Sequence, residues 1–216
     1  LEFVTPAKGD ELEHRKQVAR FDFSAVRDQL QGYYWDFPSV VRGEPHMNRG
    51  VYDGRVVPAR QRAHLPDLLT RQSAARGVPA ERIRLEGHPI HWFSPSNQFA
   101  AERVLLVGDA AGAEPLFGEG IGIALGQGEV AAAALTDAFG RQDYRFAGYR
   151  RRLLVSSVGR YLLYRWAVAA IVYRFSGSEL FMRSLWGVAQ VLTDLIGSLP
   201  RVDGVLADPA TRSQPG

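Results

Sequence analysis

The chain has 216 residues, 46% of them hydrophobic, which suits one large domain or two small ones with a real core. It has no cysteine, so disulfides, thiolate metal sites and a cysteine nucleophile are excluded. The formal net charge is +3, Lys8 and Lys16 are the only lysines, and no basic cluster is interleaved with stacking aromatics, so nucleic acid is not an expected partner.

Residues 1–16, LEFVTPAKGDELEHRK, read as a polar lead-in without the character of a signal peptide. From Val18 to about Tyr52 come three strand-length runs, VARFDFSAV, GYYWDFPSVV and NRGVYDGRVV, rich in aromatic and β-branched residues and bounded by Gly, Pro, Asn or Asp. They predict an antiparallel sheet. In the second run, alternation puts Tyr33, Trp35 and Phe37 on one face, with Pro38 expected to stop the strand. Such a face is either a core wall or the lining of an apolar substrate channel. Residues 64–76 have helical spacing, with Leu65, Leu68 and Leu69 on one side and Gly77 as the stop. Residues 82–93 read as extended, and Val104 to Val107 as a short buried strand.

Directly after that strand comes GDAAGAEPLFGEGIG, residues 108–122. A loop between a strand and a helix start gathers unpaired backbone N–H groups at the positive end of the helix dipole, where anions or ligand carbonyls settle. Asp109, at the strand's carboxyl end, can accept hydrogen bonds from ligand hydroxyls. Pro115 fixes the loop's course, and the glycines allow close backbone approach. The helix is predicted from about Gly120 to Phe139, stopping at Gly140. Gly118, Gly122 and Gly126 recur every four residues as a stripe that would pack on a flat partner. Neither a complete GxGxxG (position 123 is Ile) nor a Walker A sequence is present.

Residues 144–198 read as helical with a break near Ser176-Gly177. The longest uninterrupted apolar run, Trp166 to Tyr173, is far short of the ~20 residues that span a bilayer. Arginines at 150–152, 160, 165, 174 and 183 alternate with Leu, Tyr and Trp. The ordinary reading is a helix packed on the core with its arginines in water; the other is a membrane-surface face. Residues 203–216 read as a frayed tail. The histidines (14, 46, 64, 88, 91) show no metal spacing, and no metal site is expected.

RVLLVGDAAGAEPLFGEGIGIALGQGEVAAAAL resembles the second flavin-binding motif of flavoprotein monooxygenases and geranylgeranyl reductases, of the p-hydroxybenzoate hydroxylase-like superfamily. The resemblance implies FAD, with NAD(P)H or another reductant as electron donor. It assigns Gly108, Asp109, Ala110, Gly112, Pro115, Gly118, Gly120 and Ile121 to the cofactor: Asp109 on the ribityl hydroxyls, 115–120 beside the isoalloxazine, and the helix start facing the pyrimidine carbonyl. Tyr-x-Trp-x-Phe-Pro is similar to a geranylgeranyl reductase motif lining the prenyl pocket, which implies substrate contacts for Tyr33, Trp35, Phe37 and Pro38. The sequence departs from the reductase pattern downstream, where Gly50-Val-Tyr52 lacks a second glycine. Related aromatic-Phe-Pro elements occur in aromatic hydroxylases and halogenases.

The expected class is α+β or α/β: part of an FAD-binding domain with part of an antiparallel substrate sheet and a helical C-terminal region. The expected divisions are a sheet region with one helix (1–95), the closing flavin motif (96–140), the helical region (141–202) and the tail (203–216). Since GxGxxG and a ribose-binding acid are missing and the chain begins at Leu1, it reads as the C-terminal half of a longer flavoprotein whose N-terminal half is its partner. Three functions are expected in order: a reductase of prenyl or other hydrophobic chains; an aromatic hydroxylase or halogenase; and a non-catalytic fragment that binds a partner or a membrane surface. A cytoplasmic setting, with peripheral membrane contact as the variant, completes the expectations.

Overall fold

The computed structural model describes residues 1–58 and 61–197. The fold is α+β, with a four-stranded antiparallel sheet, a two-stranded hairpin and six α-helices among the described residues. The chain divides into two compact units, residues 1–177 and the segment from Ser178 onward.

In the first unit the sheet order is β1 (Glu2–Pro6), β4 (Glu44–Asp53), β3 (Gly32–Val41), β2 (Arg20–Asp22). Residues 1–16 are therefore not a lead-in. Phe3 and Thr5 are buried at period-two spacing, and β1 pairs with β4 from Glu2↔Gly50 to Pro6↔His46. A short helix, α1 (Leu12–Lys16), follows. The β3–β4 hairpin closes through Arg42 and Gly43, both at positive φ (52° and 83°), a turn whose twist suits two flanking strands. Pro38 does not stop β3. The β2 register ends at Asp36, so Pro38 lies beyond the strand that would need its missing N–H.

Alternation gives the sheet two unlike faces. On one, Phe3, Tyr34 and Val51 pack with Leu68 and Leu69 of α2 (Leu65–Ala75), which ends before Gly77 at φ +68°. The same face holds a charged network. Asp36, 2% exposed, accepts from Arg49 Nε (2.9 Å) and Arg76 Nε (2.6 Å), and Arg49 also donates to Thr5 (2.7 Å) and pairs with Glu11. These bonds tie β1, β3, β4, α1 and the end of α2 together.

Residues 82–93 have no regular strand, only isolated bridges, Glu2↔Glu86 and Trp92↔Ala113. Val104–Val107 is not a buried strand. β6 is Val104–Leu105 alone, hairpinned with β5 (Ala100–Ala101), and Val104 and Val107 are both exposed. Only Leu105 and Leu106 reach the adjoining core, and a single two-residue partner leaves Val104 and Val107 uncovered.

Helix α3 runs Ile121–Arg141, passes through Gly140 and ends on Gln142 in the left-handed conformation. Gly118 thus lies before the helix, against Tyr52 of β4, and of the two stripe glycines inside the helix only Gly126 meets a neighbouring element. A Cβ there would sit 3.1 Å from Val158 Cβ. Helices α4 (Tyr149–Val155) and α5 (Ser157–Phe175) meet at Ser156, whose Oγ accepts from Gly159 N (3.1 Å) and donates to Leu153 O (2.6 Å). A second core joins Ile123 and Ala131 of α3 with Leu153, Leu162, Phe93 and Phe99.

The second unit, within its described residues, is α6 (Glu179–Gly197), amphipathic by sequence. The break expected near Ser176-Gly177 separates α5 from α6. No helix is long and apolar enough to cross a membrane among the described residues. The expected tail, 203–216, lies outside those residues.

Candidate functional site

The loop before α3 is held from within by one acid. Glu114 is fully buried, and its carboxylate accepts the backbone N–H groups of Leu116 (2.7 Å) and Phe117 (2.6 Å). Glu114 N donates to Glu119 O and Gly118 N to Glu114 O, so residues 114–119 form a closed turn. From α5, Arg165 Nε reaches Glu114 Oε1 at 3.0 Å, and its guanidinium lies 4.8 Å from the Phe117 ring centre. A buried carboxylate is tolerated because a cation and two amides satisfy it.

The sheet reaches the same turn. Tyr33 Oη donates to Phe117 O at 2.6 Å, across 84 residues of chain, and the Tyr33 ring sits among Phe21, Phe23, Tyr52 and Phe117. Burial, then the Glu114 carboxylate, pushes Tyr33 up to about 12. Trp35 and Phe37 continue this face, half-buried, their rings 5.9 Å apart and stacked. Trp35 lies on the bare backbone of Gly50, where a Cβ would come within 2.2 Å of its ring, and donates to Asn48 Oδ1 at 2.7 Å. Pro38 falls on the other face, opposite Met47, and so does not join the aromatic residues.

Of the residues assigned to a cofactor by resemblance, Gly108, Asp109 and Ala110 form one turn of 3₁₀ helix. Gly112, at φ +118°, lets the chain press against Phe93, whose N would be 2.5 Å from a Cβ. Pro115 is buried; Gly118, at φ +74°, lies under the Tyr52 ring. Asp109 is exposed and turns its carboxylate toward the start of α3, with Oδ1 3.0 Å from where a Gly120 Cβ would stand. Ile121, the first helical residue, is 82% exposed. An accessible carboxylate, first-turn amides with no acceptor inside the helix, and bare glycine backbone lie together. That donor set suits a ligand offering hydroxyls and a carbonyl or anionic edge, as the ribityl–isoalloxazine part of a flavin does. The sequence has no GxGxxG.

Sequence reasoning missed Glu114, Arg165 and the contributions of Phe21, Phe23 and Tyr52. Period-two spacing in Arg20-Phe-Asp-Phe-Ser24 signalled the two phenylalanines. A single arginine inside Leu162-Leu-Tyr-Arg-Trp-Ala-Val168 signalled a buried counter-charge but not its partner. Four concavities, of about 450, 340, 200 and 120 Å³, lie elsewhere, and none of them is lined by Asp109 or Phe117; those of 340 and 120 Å³ share Asp53, Arg55 and Trp92. No cluster of His, Asp or Glu suited to a metal ion occurs among the described residues. No family model matches the chain, and no curated protein matches it.

Proposed function

We propose that this chain supplies the isoalloxazine side of the FAD site of an oxidoreductase that reduces double bonds of prenyl or other hydrophobic chains. The observation that carries the reading is the bond from Tyr33 Oη to Phe117 O, which ties the aromatic face of β3 to the flavin-motif loop. Asp109 holds ligand hydroxyls, the α3 start faces the pyrimidine edge, and the Glu114–Arg165 pair keeps the loop in shape. The chemistry such a cofactor supplies is hydride transfer, with electrons from NAD(P)H or a similar donor. The positive end of α3 favours negative charge next to Ile121. Trp35 and Phe37 exclude water from an apolar chain and orient it.

The test is kcat/KM for prenyl chains of two lengths in the full protein and in Trp35→Ala. Contacts along the chain contribute about 0.8 kcal/mol per buried CH₂, so the variant should lose far more on the long substrate than on the short one. Its stability should fall by less than the roughly 3–5 kcal/mol of a core Trp→Ala. A large stability loss with no chain-length dependence returns the aromatic face to the core. Substrate-stimulated NAD(P)H oxidation with oxygen incorporated into an aromatic ring favours the hydroxylase instead.

A further inference from the structure

Helix α5 is apolar on two opposite sides, one of them buried in the core. Leu162, Ala169 and Tyr173 are buried, and Leu162 belongs to the core shared with α3 and α4. On the opposite side, Arg160, Tyr164, Ala167, Ile171, Arg174 and Phe175 follow each other at helical spacing and are all exposed. Tyr164 is 64% exposed, Ile171 54% and Phe175 53%. An apolar face of this kind on a water-facing helix marks a surface meant to be covered.

Charge decides by what. From Tyr149 to Gly177 the chain has no Asp or Glu and six arginines. Arg152 pairs with Asp137 and Arg165 with Glu114; Arg150, Arg151, Arg160 and Arg174 have no ion pair among the described residues. Arg160 and Arg174 bracket the apolar face, about 21 Å apart along the axis at 1.5 Å per residue. Tyrosine and arginine at the edges of an apolar strip match the headgroup boundary of a bilayer, where aromatic rings and cations settle. The inner side of α5 is committed to the core, so the helix can lie on a bilayer but not enter it. Helix α6, taken by itself, also exposes a row of apolar residues, Leu180, Val188, Val191 and Leu195.

We propose that the outward face of α5, Arg160–Tyr164–Ile171–Arg174, docks the protein on an anionic lipid surface. This goes beyond the flavin reading and does not depend on it, since lipid binding is measured without cofactor or turnover.

The experiment is co-sedimentation of the full protein with vesicles of phosphatidylcholine containing phosphatidylglycerol, and with phosphatidylcholine alone. Binding should be confined to the anionic vesicles and weaken as salt rises. Arg160→Gln with Arg174→Gln should lower the partition coefficient roughly thirtyfold, as expected for two cations at a headgroup surface. Tyr164→Ser with Ile171→Ser should lower it by more than about tenfold by removing the inserted side chains. All four side chains are exposed, so circular dichroism and monodispersity should match wild type, and Ile171→Ser alone serves if the pair does not fold. Equal binding to both vesicle types, no binding to either, or binding untouched by the variants overturns the proposal. So does a wild-type dimer that Ile171→Ser dissociates, which would assign the face to a second copy of the chain.

Discussion

Asp36 shows how much one buried side chain can organise. Its two oxygens hold the guanidinium groups of Arg49 and Arg76, which are 3% and 17% exposed at the side chain. Asp36→Asn leaves both cations without their central charge and should cost about 3–5 kcal/mol, read as a fall in the urea midpoint. The tyrosines make a second residue-scale prediction. Burial, then the Glu114 carboxylate, raises Tyr33 to about 12; burial likewise raises Tyr34, aided by Asp36, and Tyr52, aided by Tyr173. The folded state then holds these protons more tightly than the unfolded chain. That stability is whole below pH 10 and is lost as pH rises from 10 towards 12. Alkaline titration should therefore show tyrosinate absorbance rising together with loss of structure, whereas complete ionisation with unchanged circular dichroism would refute the burial. Neither network was legible in the sequence. Asp36 meets partners 13 and 40 positions away, and Tyr33 meets a carbonyl 84 positions away.

The elements were read best where periodicity is strong and local. Helix α2 and the alternation of Tyr33, Trp35 and Phe37 follow from spacing alone. Strand β1 was hidden because Glu2, Lys8 and Asp10 dilute the two positions, Phe3 and Thr5, that face inward. The α4–α5 junction was hidden because Ser156 and Ser157 sit in an unbroken helical pattern; Ser156 ends one helix and caps the next. Gly159 makes that junction testable. A Cβ there would stand 1.9 Å from Leu153 O and 2.8 Å from Leu154 Cα, both backbone atoms. Glycine to alanine inside a helix ordinarily stabilises by about 1 kcal/mol. Gly159→Ala should instead destabilise by about 1–3 kcal/mol, with the sign of the midpoint shift as the readout.

At the scale of the molecule, the sequence separated a β-rich first part from a helical last part, and the described structure has that order. It also singled out the loop from Gly108 to Gly122, but its internal design lies in contacts that spacing does not encode: Glu114 below, Arg165 from α5, Tyr33 from β3. The central claim is that this loop is one wall of a flavin site, with Asp109 as its accessible carboxylate. Asp109 is exposed, so truncating it should change the denaturant midpoint by no more than about 0.5 kcal/mol. On that claim, charge-assisted bonds from Asp109 to ligand hydroxyls would be worth about 1.5–3 kcal/mol, so their loss should reduce flavin affinity at least tenfold. The measurement is the flavin released per mole of purified full protein, in wild type and Asp109→Ala, beside a denaturation curve for each. Flavin in the wild type, depleted in an equally stable variant, is the predicted result; no flavin in the wild type, or the same content in both, would contradict the assignment.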